Sequence, residues 1–469
     1  MKNLNRQTAS PETLAVGKQR SYNEVIEFLD SNWRPNTDTN LIAMKKLDQA
    51  FGSIAQKTNA ILVAGTNGKS LTIDFATQLL RVEGLNVGSF YTPHMLTYNE
   101  RFAINTELIS NKTFTDIAND VINMVETLEL TPNSFEILTM MALIYFNQNN
   151  VDVALLEVDG GSACPVSICT PKIAAITRVT TDEENASKES IEEILSIVKE
   201  NTYVVSADQS KLNLQIMHDI VNEKQATWSM PIRKLAPLAY PYEQLHGRCA
   251  ALAERISSTY VNSFSNKDAI VVSGTLLSKQ KGQRGRPTIE AKRQLELNPK
   301  KTIDQFWKET QHSLPNRFQL LDKEKPSILL DNASNLDAFK NLLLGIRLLH
   351  YQRPLKGLTL IIGCNNSALD LTEFLKLLRY FFKKTSGQVI LCPVEHVPGH
   401  TDVGTWDVEK ATNDIKSMKI KAKSAKNFKE AFETAQKMVD ERNGLVVVTG
   451  SSSIISEYWR YRGIKKLDR

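Results

Sequence analysis

The sequence predicts an α/β protein in two parts. Near-continuous apolar runs of strand length, such as VDVALLEV (151–158) and IAAITRV (173–179), suit strands covered on both faces of a parallel sheet. Stretches with apolar residues at helical spacing separate them. The alternation weakens around residues 265–310 and then restarts, which places a boundary there.

Composition agrees with that class. The 469 residues are 42% hydrophobic and 23% charged, enough for a large buried core and too apolar for general disorder. No apolar run approaches the roughly 18 residues that cross a bilayer. The opening MKNLNRQTASPETLAVGKQR has no apolar signal-peptide core. Cys164, Cys169, Cys249, Cys364 and Cys392 are odd in number and form no CxxC pairs, so they read as reduced cytosolic thiols. A net charge of +5 is mild and does not by itself argue for nucleic acid.

Residues 1–20 are polar and aperiodic, and are expected to form a flexible leader. The first domain is expected over 21–275. From Tyr22 the pattern turns helical, and Leu41, Met44, Leu47 and Phe51 recur at helical spacing. AILVAG (60–65) reads as a buried strand entering a Gly-rich turn. Ile73, Phe75, Ala76, Leu79 and Leu80 then mark a helix, and VGSFYT (87–92) another strand. Helical stretches at 114–128 and 135–146 precede the strands at 151–158 and 173–179.

A basic insertion or linker is expected over 276–310. Within 278–301, Lys279, Lys281, Arg284, Arg286, Lys292, Arg293, Lys300 and Lys301 stand against only Glu290 and Glu296. Arg284-Gly285-Arg286-Pro287 resembles the core of a minor-groove AT-hook, although four residues are a short signal. A solvated interdomain loop is the plainer reading, and a cationic lid that attracts polyanions is the alternative. Over 311–469 the alternation returns. SILLDNA (327–333), LTLIIGC (358–364), QVILCPV (388–394) and GLVVVTG (444–450) read as strands, with helices between them such as 371–382. This is a second, smaller α/β domain with a Rossmann-like rhythm.

The sharpest local signal is Gly65-Thr66-Asn67-Gly68-Lys69-Ser70, set between a predicted strand and a predicted helix. Glycines let backbone N–H groups turn toward phosphate oxygens, and the helix N-terminus adds positive potential. Lys69 would neutralise β- and γ-phosphate charge, and Ser70 would offer a hydroxyl to Mg²⁺. The outer Gly of the full Walker spacing is missing, because position 63 is Val63. An ordinary tight turn before a helix is the competing reading.

Further blocks carry a family resemblance. ILVAGTNGKS, YTPHMLTYNERFAINTELIS (91–110), FEILTMMAL (135–143) and VALLEV (153–158) stand in the order and spacing of one group. The chain resembles the folylpolyglutamate synthases, also called dihydrofolate synthases, of the Mur ligase superfamily. The resemblance runs from about Tyr22 to the C-terminus, interrupted near 278–301. Thr92-Pro93-His94 through Asn99-Glu100-Arg101 and Asn105 is its most specific block. It is similar to the family's loop between the phosphate and pterin sites, and unlike the cell-wall ligases. Pro315-Asn316-Arg317-Phe318 looks like the family's Pro-Gly-Arg motif. Asp331-Asn332-Ala333-Ser334-Asn335 stands where the family has Asp-Gly-Ala-His-Asn, and VVVTGSSSII (446–455) resembles its final strand and Gly-Ser turn.

The resemblance implies a P-loop-containing, Mur-ligase-like central domain with a mostly parallel sheet, plus the Rossmann-like C-terminal domain. It also implies ATP-dependent joining of L-glutamate to a reduced folate or dihydropteroate. A carboxylate is a poor acyl donor, because its leaving group would be oxide. Transfer of the γ-phosphoryl gives an acyl phosphate that an amine can attack, so catalysis is mainly positioning and charge neutralisation. ATP and Mg²⁺ are the implied cofactors, and a cytoplasmic monomer without membrane or nucleic-acid partners is the implied setting. Gly65, Thr66, Asn67, Gly68, Lys69, Ser70 and Leu71 would hold ATP. Arg317 would reach its phosphates from the second domain, and Asp331 would contact the nucleotide. Ser70, Glu157 and Glu183 would hold metal. Glu157 lies at a strand's C-terminal end, where α/β sheets place ligands. Lys199 aligns with the family's carbamylated lysine, with a helix-end Lys complementing the dipole as the alternative. Thr92, Pro93, His94 and Arg101 would meet substrate, with His94 alternatively a packed polar side chain.

The chain also departs from the pattern. The family's turn ending in Asp-Ala-Thr-Asn becomes Asp159-Gly160-Gly161-Ser162-Ala163-Cys164-Pro165-Val166-Ser167, one residue short and without that Asp and Asn. Gly-Leu-Asp-His becomes Thr180-Thr181-Asp182-Glu183, so Glu183 falls on a metal-binding His; a carboxylate can still bind Mg²⁺. Ser334 replaces another His, and His246-Gly247-Arg248-Cys249-Ala250 lacks the Asn that would contact adenine. These losses keep open a relative that binds nucleotide or folate without ligating. A ligase for another carboxylate is a third reading, opposed by residues 92–101.

Overall fold

The structure is a computed structural model, and it describes residues 17–34, 39–180, 187–232, 244–265, 302–309, 315–363, 371–395, 397–399 and 406–467. Most of the leader, the basic segment with Arg284-Gly285-Arg286-Pro287, Thr181-Asp182-Glu183 and Cys364 lie outside the described residues.

The first sheet has eight strands: β1 (Ala60–Ala64), β2 (Val87–Phe90), β3 (Phe102–Ile104), β4 (Glu107–Leu108), β5 (Val153–Glu157), β6 (Pro171–Ile176), β7 (Tyr203–Ser206) and β8 (Thr227–Ser229). Their order is β4-β3-β2-β5-β1-β6-β7-β8. The strands from β2 through β8 pair in parallel, and only the β3 and β4 edge is antiparallel. Central β1 and β5 are buried along their whole length, as continuous apolar runs in a parallel sheet should be.

Alternation along β1 divides the core into two layers. Leu62 faces the helices Asn111–Thr127 and Ser134–Gln148, with Phe90, Phe102 and Phe135. Ile61 and Val63 face the helices Lys69–Val82 and Gln244–Phe264, with Phe75 and Leu79. Trp307 completes this second layer, edge-on to Phe75 at 5.4 Å. Its helix, Ile303–Glu309, falls within the basic segment expected over 276–310, yet it packs on the first sheet. The reason is apolar: Ile303, Phe306 and Trp307 share one helical face and are all buried.

The second sheet has six strands: β9 (Gln319–Leu321), β10 (Ser327–Leu330), β11 (Leu358–Ile362), β12 (Gln388–Leu391), β13 (Ala422–Ser424) and β14 (Leu445–Thr449). Their order is β13-β12-β11-β14-β10-β9, parallel except at β9. The helices Leu336–Gln352, Leu371–Phe382 and Val408–Ser417 cover one face, and Phe428–Lys437 and Ser452–Tyr461 the other. The molecule is therefore α/β, with two mostly parallel sheets. Among the described residues, no helix is long and apolar enough to cross a membrane.

Candidate functional site

The C-terminal ends of β1 and β5 meet in the middle of the first sheet, where Val63 pairs with Glu157. The loop after β1 turns through Gly65 (φ 125°) and Gly68 (φ 92°) before the helix Lys69–Val82 begins. A Cβ on Gly65 would lie 2.2 Å from the Thr177 hydroxyl, so only glycine fits there. Thr66 fixes the loop to the segment after β6. Its N–H donates to the Arg178 carbonyl at 3.1 Å, its hydroxyl donates to the Thr180 carbonyl at 2.9 Å, and Thr180 N–H returns a bond at 3.0 Å. Lys69 Nζ bends back to donate to the Gly65 carbonyl at 3.1 Å.

Glu157 is buried beside this loop. The Ser70 hydroxyl donates to its carboxylate, 3.1 Å from Oε2, and Thr92 N–H donates to the same oxygen at 3.1 Å. Arg317, from the second domain, donates through Nη2 to Ser70 Oγ at 3.2 Å. Burial pushes the Glu157 carboxyl above its ordinary range, against the pull of Lys69, the Thr92 N–H and Arg317; Asp159 adds to the rise. Two hard oxygen donors beside a phosphate-type loop fit a divalent cation of the Mg²⁺ kind. Among the described residues, no group of three or more His, Cys, Asp or Glu could hold a metal by itself.

The second domain forms the opposite wall of a cleft of about 220 Å³. Asp331 follows β10 and accepts N–H bonds from Phe318 and Ala333, both at 2.9 Å. Burial lifts its carboxyl to about 6, although both N–H groups and Arg317 pull it down. Asn335 caps the helix Leu336–Gln352, accepting from Ala338 N–H at 3.0 Å. Ser334, His246 and Ser452 also line this cleft.

The structure brings Gly68, Lys69, Ser70, Leu71, Thr92, Pro93, Glu157, Arg317 and Asp331 together around one space, together with Thr66 and Asn67. Lys199 is placed elsewhere. Its ammonium donates to the carbonyls of Ser167 (3.2 Å) and Cys169 (2.8 Å) in a separate recess with Lys45 and Asp48. The shortened turn after Glu157 curls into two 3₁₀ turns, Gly161–Ala163 and Pro165–Ile168, and the carbonyls that hold Lys199 lie at and just beyond the second.

His94 and Arg101, expected to meet substrate with a packed His94 as the alternative, both lie inside the protein. His94 is packed, its Nδ1 accepting from Arg101 Nε at 3.1 Å and its ring 4.3 Å from that of Tyr98. Arg101 is fully buried, and each of its nitrogens donates inside the protein. Sequence reasoning missed a set of interdomain contacts: Asn67 bonds both Asn335 and Asp337, and Arg178 pairs with Asp337 at 3.5 Å. No periodicity or motif links residues so far apart in the chain.

No protein-family model matches the chain. The chain is 27% identical over 341 residues to the dihydrofolate synthase/folylpolyglutamate synthase of Bacillus subtilis, covering 69% of this chain and 75% of that one. A probable folylpolyglutamate synthase of Saccharomyces cerevisiae is 26% identical over 324 residues, covering 66% of this chain and 73% of that one, and six further relatives align over less than half of their own length. Two solved structures share the fold over 96% of this chain. One is the Mycobacterium tuberculosis folylpolyglutamate synthase complexed with ADP, with TM-score 0.73, 18% identity and 99% of that chain covered. The other is the bifunctional folylpolyglutamate synthase/dihydrofolate synthase of Yersinia pestis complexed with AMPPNP and Mn ion, with TM-score 0.71, 20% identity and all of that chain covered.

Proposed function

We propose, from the similarity to the Bacillus subtilis protein and the shared fold, that the chain belongs to the folylpolyglutamate synthase/dihydrofolate synthase family and is an ATP- and Mg²⁺-dependent ligase. It adds L-glutamate to the carboxylate of a reduced folate, and dihydropteroate is a second candidate acceptor. One observation carries this reading: Lys69, Ser70 and the buried Glu157 converge under the Gly65–Gly68 turn, and Arg317 reaches Ser70 from the opposite domain.

The chemistry follows from that convergence. The loop N–H groups and Lys69 take the β- and γ-phosphates, and Lys69 exchanges its Gly65 carbonyl for phosphate oxygen. Ser70 and Glu157 would hold the Mg²⁺, which would supply neutralisation of phosphate charge. Arg317 spans the domains and meets the transferring phosphoryl from the far side. A folate carboxylate oxygen attacks the γ-phosphorus and ADP leaves. The glutamate amine then attacks the acyl carbon, and phosphate leaves with the former carboxylate oxygen. Seating the second domain against the loop limits water, which would otherwise hydrolyse the acyl phosphate. The buried thiols Cys164, Cys169, Cys249 and Cys392, reduced among the described residues, support a reducing, cytoplasmic setting.

Purified protein supplied with ATP, Mg²⁺, labelled glutamate and tetrahydrofolate tests the reading. ADP and phosphate should appear only when the folate is present, with label in the folate product. Nucleotide binding with no glutamate incorporated would leave a binding protein in its place.

A further inference from the structure

A fully buried guanidinium is costly unless acceptors surround it. Arg101 is 0% exposed, and burial pulls its pKa down to about 10. It lies against the rings of Trp33, Tyr98 and Phe135, 5.3–5.8 Å from their centres. Its three nitrogens point three ways. Nε donates to His94 Nδ1 at 3.1 Å, Nη1 to the Thr92 hydroxyl at 3.1 Å, and Nη2 to the Gly399 carbonyl at 2.6 Å. Gly399 belongs to the second domain. Thr92 in turn gives its N–H to Glu157 Oε2 at 3.1 Å. An unbroken chain of contacts thus runs from a second-domain carbonyl to the carboxylate that accepts from Ser70. Gly399 has φ 85°, and a Cβ there would lie 2.5 Å from His94 Cε1. The carbonyl comes this close only because the residue is glycine.

We infer that Arg101 is a positioning residue that sets the Glu157 carboxylate according to whether the second domain is seated. The Gly399 carbonyl holds the guanidinium, the guanidinium holds Thr92, and the Thr92 N–H orients Glu157. With the second domain displaced, Nη2 loses its acceptor among aromatic rings, so the fork must turn and Thr92 follows. Lysine cannot reproduce this, because its single ammonium cannot span three divergent acceptors in a fixed plane. The inference rests on reading Glu157 as the metal carboxylate.

Two variants cut the chain at opposite ends. Gly399→Ala alters only the second-domain sequence and displaces its carbonyl, because the new Cβ presses on the His94 ring, and Arg101→Lys keeps the charge and loses the fork. Mn²⁺ affinity, read by electron paramagnetic resonance in the presence of AMPPNP, should fall about tenfold in each. The double variant should be no worse than the poorer single one, because both break the same link. AMPPNP affinity without metal should change less than about twofold, a split that a loss of general stability does not produce. Wild-type Mn²⁺ affinity in Gly399→Ala, or losses that multiply in the double variant, would overturn the inference. If Arg101→Lys does not fold, Gly399→Ala decides alone. A wild-type protein that binds Mn²⁺ with AMPPNP but never incorporates glutamate sinks the ligase reading and leaves this titration intact. One that binds no Mn²⁺ sinks the relay.

Discussion

Asn67 and Asn335 exchange hydrogen bonds in both directions, at 3.0 and 2.9 Å, across the boundary between the two domains. Asn67 sits inside the turn that precedes the helix Lys69–Val82, so the second domain grips the loop itself. Asp337 adds a bond to the same Asn67 amide at 3.1 Å and pairs with Arg178 at 3.5 Å. A side-chain amide both donates and accepts, which is why two of them can face each other with both groups satisfied.

That reciprocity separates two roles of Asn335. Asn335→Asp keeps an oxygen to cap the helix Leu336–Gln352, so stability should stay within about 0.5 kcal/mol of wild type. It loses the amide donor to Asn67 and adds negative charge beside Asp337. We expect kcat/KM for ATP to fall about tenfold, from the lost amide hydrogen bond together with the added charge. Asn335→Ala should show that loss and a further drop of about 1 kcal/mol in unfolding free energy, read by urea denaturation. An unchanged kcat/KM in the Asp variant would remove the functional role of the pair.

Lys69 is the sharper test of the loop. Among the described residues its ammonium donates to the Gly65 carbonyl alone, so removing it breaks little structure. Lys69→Ala should lower turnover by about 10²–10³-fold or more, with Tm nearly unchanged. A variant that keeps its rate would show that phosphate binds elsewhere.

Much of this was legible in the sequence, and the boundary is physical. AILVAG, VALLEV, SILL and GLVVVTG announce strands because both faces are buried, and they became β1, β5, β10 and β14. Strand β7 (YVVS) is too short for periodicity to mark, and β8 (TWS) lies at a sheet edge with no buried residue. The Gly65–Ser70 turn was readable because strand, glycine and helix follow in local order. Arg101 was not, because its acceptor at Gly399 is 298 positions away. A motif flags the arginine but cannot say whether its fork faces a ligand or a carbonyl. Lys199 shows the same limit: alignment proposes a role, while the local path of the turn after Glu157 decides where the ammonium goes.

Asp331 makes stability depend on pH. Its carboxyl is held near 6 in the folded chain and returns to an ordinary value near 3.9 on unfolding. The folded state therefore favours the neutral form. That stabilisation is complete below about pH 4 and is lost as pH rises through about 6. Asp331 keeps an edge open to the cleft, and screening trims the loss to about 2 kcal/mol. Asp331→Asn should remove this fall in unfolding free energy between about pH 4 and 7. A constant cost of about 1 kcal/mol should remain, because the amide cannot accept from both Phe318 and Ala333 N–H groups. Parallel curves for the two proteins would show that another group titrates there.

Glu157 sets stability against binding in the same way, with the larger consequence for function. Its carboxylate is 3% exposed, and burial raises its pKa in spite of Lys69, Thr92 N–H and Arg317. Above the folded value the ionised form is a burden on the metal-free protein, which a bound cation would relieve. Glu157→Gln keeps the shape and one acceptor for Thr92 N–H, and it carries no charge to bury. Without metal, its Tm at pH 8 should therefore equal or exceed that of wild type. With AMPPNP present, Mn²⁺ should raise the wild-type Tm and leave the variant where it was, because stabilisation by a ligand follows its affinity for the folded state. A variant that still gains Tm from Mn²⁺ would move the metal away from Glu157 and leave Ser70 without its partner ligand.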